Sequence, residues 1–379
     1  MISQAIGRIS SLSLGLSLRL WETFSLIVLL SVTATIPILQ LASLGYMLEA
    51  SGRLARGLPL RSCFPGAATA GRMVTGAVWL GLTWLPVWFV ADLAYSAGLI
   101  DPGSASSARW RFGARTVSVI WVLWSAWALF RGGRWYHFIW PAPKTLLRTV
   151  FQREAWHALE DRLWAWAGGL RVPHLMKIGL YGTLGAILWL IVPSTLIVIA
   201  LNGSANNNAT PAENGLLAVV GLIGALWMWY VLQYLPFLQV HMGAEGRLRA
   251  ILDRRAIQSA FRHAPVAYGL AAIAFFAMAI PLYLLRIESI PPQLWWMLSI
   301  LFVVFMFPAK LLVGWALRCS RRRPQPSHWL WRWMAWLTMF AGVGLYVGVL
   351  YIAKFALWEG AASVLLQHAF LPPVPFYLR

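Results

Sequence analysis

Residues 178–201 read IGLYGTLGAILWLIVPSTLIVIAL, a run without a single charged side chain. A helix rises 1.5 Å per residue, so this run is about 36 Å long, enough to cross the ~30 Å hydrocarbon core of a bilayer. It gives way to NGSANNNATPAEN at 202–214, which carries no Lys or Arg, and then to a second apolar run at 215–240. Working outward, the same criterion finds spans at 24–47, 73–95, 116–130, 265–285, 295–317 and 331–353, eight in all. Pro37, Pro86, Pro193, Pro236, Pro281 and Pro308 lie inside them. Neighbouring helices can satisfy the backbone groups that such prolines free, so kinked spans are expected.

Composition agrees. The 379 residues are 60% hydrophobic and 11% charged, against about half apolar and a quarter charged in soluble proteins. The net charge of +19 is spread in short clusters between apolar runs and not gathered on a soluble basic module, which argues against a nucleic-acid partner. Many of the 24 tryptophans, among them Trp21, Trp110, Trp135, Trp140, Trp329 and Trp331, fall near span ends, where an indole settles at headgroup level. The two cysteines, Cys63 and Cys319, form no metal-like spacing and read as reduced thiols.

Lys and Arg accumulate on the cytoplasmic side of a membrane protein. Arg53, Arg56, Arg61 and Arg72 follow span 1, and eight basic residues lie between Arg131 and Lys177. Arg247, Arg249, Arg254, Arg255 and Arg262 follow span 5, and Arg318, Arg321, Arg322, Arg323 and Arg332 follow span 7. These segments are expected in the cytoplasm, with 202–214 and both termini in the periplasm. Arg109, Arg111 and Arg115 after span 2 dissent, as do Arg8 and Arg19. Two amphipathic pieces complete the plan. Ile2, Ile6, Ile9, Leu12, Leu16 and Leu20 share one helical face in an interfacial segment over 1–22. Trp156, Leu159, Leu163, Trp166 and Leu170 recur at helical spacing inside the cytoplasmic insertion 131–177.

The chain also resembles itself. IPILQ at Ile36–Gln40 recurs as LPFLQ at Leu235–Gln239, and Gly52-Arg53-Leu54 as Gly246-Arg247-Leu248, each with a glutamate just upstream, Glu49 and Glu245. Ser62-Cys63-Phe64 matches Ser259-Ala260-Phe261, Leu85-Pro86 matches Ile280-Pro281, and Trp127-Ala128-Leu129 matches Trp315-Ala316-Leu317, with separations of 188 to 199 residues kept in order. This predicts an all-α integral membrane fold of two parallel four-helix repeats, 23–201 and 215–358, with a tail at 359–379. An even number of spans per repeat relates the halves by an axis along the membrane normal.

Gly45-Tyr46, Arg53, Gly57 and Pro59 form a GY-x6-R-x3-G-x-P turn. This turn, with LPFLQVHMGAEGRLRAILDRRAI, FRHAP, IPLYLLRIE and FPAKLLVGWA in the second half, resembles an uncharacterised family of bacterial polytopic membrane proteins. The resemblance spans most of the chain and implies a multi-pass protein of the bacterial inner membrane. It implies no chemistry.

No Walker loop, H-E-x-x-H, G-x-S-x-G or carboxylate pair within a span occurs, so catalytic residues, cofactors and metal are all read as none. The strongly polar inventory of the spans is Gln40, Gln233, Gln239, Lys310 and Asp92. Lys310 stands about 12 Å of helix before Arg318. Its stem can snorkel to the headgroups, or its ammonium can turn inward to Gln239 or Gln40, with Glu245 and Glu49 just beyond. Those five residues are the candidate intramembrane site. The spans are poor in polar groups for a substrate pathway, which favours a non-enzymatic scaffold, anchor or assembly factor, with anionic headgroups or a membrane-protein partner on its basic cytoplasmic face. The alternative is a transporter with a site between the repeats.

Overall fold

A computed structural model of the chain describes residues 2–140, 142, 145, 149, 152–204, 210–287, 296–356 and 369–371. The heart of the Asn-rich loop at 205–209, the outer loop expected after span 6, most of the tail 359–379, and the side chains of Ile2–Leu12, Leu159 and Leu163 lie outside the described residues.

The elements are α1 (Ile2–Thr35), α2 (Leu39–Ala55), α3 (Ala67–Ile100), α4 (Ala105–Phe130), α5 (Trp135–Ile139), α6 (Arg153–Gly169), α7 (Val172–Ser204), α8 (Pro211–Glu245), α9 (Arg254–His263), α10 (Pro265–Ile287), α11 (Trp296–Arg321) and α12 (Trp329–Ala356). Single turns of 3-10 helix occur at Leu60–Ser62 and Leu248–Leu252. Among the described residues eight helices are long and apolar enough to cross a membrane: α1 from Gly15, α3, α4, α7, α8, α10, α11 and α12. The protein is an all-α polytopic membrane protein.

The first span departs from the expected 24–47. Helix α1 ends at Thr35, because the residue before a proline is pushed out of the helical region and Pro37 itself has no N–H to give. Ile38 then takes a φ of +71°, rare for a β-branched residue, and α2 starts at Leu39. Ser43 Oγ donates to the Leu30 carbonyl at 3.1 Å. In a continuous helix those residues would be about 20 Å apart, so the chain turns back on itself at 36–38. Glu49 and Arg53, expected in a loop, therefore lie on a helix. The third span is also longer than 116–130. Ser104 caps it by accepting the Ser107 N–H at 3.1 Å, and the dissenting Arg109 and Arg111 sit in its first turns, donating Nε to the carbonyls of Ala105 and Ser107.

The chain divides into two compact units, Met1–Leu29 with Gly66–Leu170, and Leu30–Pro65 with Arg171–Arg379. In the first, α3 and α4 pair through Trp121, whose Nε1 donates to Thr83 Oγ1 at 3.1 Å and whose ring meets Trp84 edge-on at 4.7 Å. Trp21 Nε1 donates to Thr75 Oγ1 at 2.9 Å and ties α1 to α3. Trp124 Nε1 donates to the Phe138 carbonyl and holds α5. Trp156, Trp164 and Trp166 of α6 are exposed.

The second unit is built around α2. Thirteen of its 17 residues are buried, the pattern of a helix surrounded on all sides. It packs against α7, α8 and α11, and glycines make this possible. A Cβ on Gly45 would occupy the Leu175 carbonyl of α7, one on Gly179 the Leu41 carbonyl of α2, and one on Gly314 of α11 would collide with the Ser51 carbonyl. Gly52 and Gly243 do the same between α2 and α8. Backbones in van der Waals contact are how membrane helices gain cohesion without a hydrophobic drive.

Candidate intramembrane polar site

Lys310 comes to the site from α11, two residues after the in-helix Pro308. Its side chain is 0% exposed. The ammonium turns inward, donating to Gln239 Oε1 at 3.0 Å and standing 5.5 Å from the centre of the Phe275 ring. Gln239, on α8 and also 0% exposed, points its amide nitrogen the other way, to the carbonyls of Gly182 at 3.0 Å and Phe370 at 3.1 Å. The orientation follows from donor counting: a lysine can only donate, so the amide oxygen must face it and the NH₂ must find acceptors elsewhere. One glutamine thus joins α7, α8, α11 and the described piece of the tail. Phe370 is itself buried against Phe275 and Phe276, at 5.4 and 6.5 Å.

The other expected members lie apart from this pair. Gln40 sits in the first turn of α2 with its Oε1 buried and without a hydrogen-bond partner among the described residues. Glu49 is buried to 7% exposure and gathers Arg53 Nε at 2.8 Å, Arg56 Nη2 at 3.5 Å and His174 Nε2 at 3.9 Å. Glu245, at the end of α8, is more open, with Arg247 at 3.1 Å and Arg321 at 3.7 Å. Of the five residues expected together, Lys310 and Gln239 form an intramembrane pair, Glu49 and Glu245 belong to two separate ion clusters, and Gln40 joins none of these. Sequence reasoning missed the two carbonyls that hold Gln239, because backbone acceptors leave no residue signature.

The ion clusters mark one end of the second unit. Arg56 donates to the Ala244 carbonyl, and Arg318 to the Leu58 carbonyl at 3.2 Å, so the last turns of α2, α8 and α11 meet there. The turn that carried the family resemblance is part of this end. Tyr46 Oη donates to the Pro65 carbonyl at 2.9 Å, Arg53 reaches the Ser62 carbonyl, and Gly57 adopts a φ of +92°. Cys63, in the same turn, is fully buried, and burial raises its thiol pKa despite nearby Arg318, Arg53 and Arg56.

Two cavities open at this end. One of about 820 Å³ is lined by Lys177, His241, Glu245, Arg247, Arg249 and Asp253 among others, mixing both signs of charge. The second, of about 270 Å³, lies beside Gln233, Arg262 and Arg332. Among the described residues no three His, Cys, Asp or Glu side chains are grouped so as to hold a metal ion. Set against protein-family models, curated proteins and solved structures, the chain matches none of them.

Proposed function

We propose that this protein is a non-enzymatic component of a bacterial inner membrane, a scaffold, anchor or assembly factor, whose basic face holds anionic lipid headgroups. The observation that carries the reading is the contrast inside the second unit. Its centre is closed by backbone-to-backbone contacts around α2, and the buried Lys310 is engaged by Gln239. Its charge collects at one end, where Arg53, Arg56, Arg247, Arg249, Arg318 and Arg321 stand, among the described residues, with Glu49, Glu245 and Asp253. A juxtamembrane cation contributes about 1 kcal/mol toward an anionic leaflet, and salt screens it. The ordered matches between the two halves are kept in this reading as a duplication, with the family resemblance as its companion.

The test is thermal unfolding of the purified protein in vesicles of phosphatidylcholine alone or mixed with phosphatidylglycerol. The anionic lipid should raise the midpoint, and added salt should remove most of the gain. A midpoint indifferent to lipid charge would end the proposal.

A further inference from the structure

The smaller cavity, where α8, α9, α10 and α12 meet, is lined by Gln233, Gln258, Arg262, Tyr268, Arg332 and Trp336 among others, and none of its lining residues is acidic. Gln233 is only 6% exposed. Its backbone carbonyl accepts the Tyr268 hydroxyl at 3.1 Å, but its side-chain amide has no protein partner among the described residues. The amide is therefore open to a partner that enters the cavity.

The two arginines are held in place by one residue. The Ser327 N–H donates to the Arg262 carbonyl at 2.9 Å, and its hydroxyl donates to the His263 carbonyl at 2.9 Å. Arg332 Nε donates to the Ser327 carbonyl at 2.8 Å, which leaves its terminal nitrogens for another acceptor. The Arg262 guanidinium has no protein partner among the described residues. Two planar forks with no carboxylate beside them are a phosphate-binding arrangement, and their fixed backbone lowers the ordering cost of binding. On the deep side Tyr268 is stacked on Phe237 at 3.5 Å and met edge-on by Phe261 at 5.3 Å, which gives a rigid wall. Trp336 is half-exposed at the rim.

We propose that this cavity binds a phosphate carried on a small hydroxylated head, with Arg262 and Arg332 on the phosphate and the Gln233 and Gln258 amides on the hydroxyls. The chemistry is shared by a phosphatidylglycerol headgroup and by free glycerol phosphate. A volume of about 270 Å³ admits a headgroup and leaves acyl chains to run out past Trp336. The inference rests on the basic-face reading and narrows it to one place.

The experiment measures binding of phosphatidylglycerol, phosphatidic acid and glycerol 3-phosphate to the full-length protein in detergent, by thermal shift and by native mass spectrometry. Wild type should retain phosphatidylglycerol, and Arg262→Gln should weaken it about tenfold, a loss of one charge-assisted contact. Arg262→Lys should restore part of the loss, and Arg247→Gln with Arg249→Gln, at the other cavity, should leave binding unchanged. Gln233→Leu should erase the preference for phosphatidylglycerol over phosphatidic acid. Equally tight binding of glycerol 3-phosphate would make a soluble ester the ligand and still support the pocket. Equal weakening by the Arg262 and Arg247/Arg249 variants would overturn the pocket while leaving the basic-face reading intact. No binding of any anionic ligand would overturn both.

Discussion

At Ile36–Gln40 the chain stops being helical and turns back, whereas at Leu235–Gln239, with proline and glutamine in the same places, α8 runs straight through. The surroundings differ. Ile36, Pro37 and Ile38 are exposed, Ile38 at 67%, while Leu235, Pro236, Phe237 and Leu238 are all buried. A proline inside a helix costs about 3 kcal/mol, and α8 meets that cost where Pro236 is buried and the helix is packed against α7 and α2. No such packing surrounds Pro37, so the backbone takes the cheaper course and breaks. A local pattern therefore sets where a helix is weak, and packing decides whether the weakness is used.

The same contrast extends to the residues downstream, and each matched pair gives a way to break it. The largest difference is expected between the glutamines. Gln239→Leu leaves the Lys310 ammonium buried against no acceptor and two carbonyls without their donor, so it should cost about 3–5 kcal/mol in unfolding. Lys310→Met, which removes the charge and leaves only one amide oxygen unmet, should cost less, about 1–3 kcal/mol. Gln40→Leu should be neutral or mildly stabilising, since its buried oxygen already lacks a partner. Denaturant titration in a fixed detergent ranks the three, and a Gln40 variant as damaged as the Gln239 variant would contradict the account.

Next come the glycines. Gly52→Ala places a Cβ 2.6 Å from the Ala244 nitrogen, so it must push α2 from α8 at a cost of about 1–3 kcal/mol. Gly246, its sequence counterpart, has a φ of +67° and open space around it, so Gly246→Ala should cost only about 1 kcal/mol, from the left-handed backbone. Thermal midpoints of the two variants should separate in that order. The smallest difference concerns the glutamates. Glu49→Gln weakens the ion pairs of a buried carboxylate with Arg53 and Arg56, while Glu245→Gln touches more open pairs whose effect should stay within ~0.5 kcal/mol. If both variants unfold alike, burial of Glu49 is not what distinguishes them.

The helical class and the number of spans were legible because a run of about twenty apolar residues has the length of a bilayer crossing and no polar face to turn toward water. Lys310 was legible as an oddity for the same reason: a lone cation in FVVFMFPAKLLVGWA draws notice. What escaped was everything that depends on surroundings. The turn at 36–38 looks like any proline inside a span, and α2 reads as the end of that span at 47 followed by a polar loop with Glu49, Ser51 and Gly52, until three helices are placed against it.

The reversal itself is open to a direct chemical measurement. In a background carrying Cys63→Ala and Cys319→Ser, Leu30→Cys with Ser43→Cys should form an intramolecular disulfide under mild oxidation, because the Ser43 hydroxyl reaches the Leu30 carbonyl at 3.1 Å. Non-reducing proteolysis and mass spectrometry would then find the two peptides linked. If α1 instead continued through Pro37, the same positions would stand about 20 Å apart, no link would form, and the buried hub built around α2 would be lost.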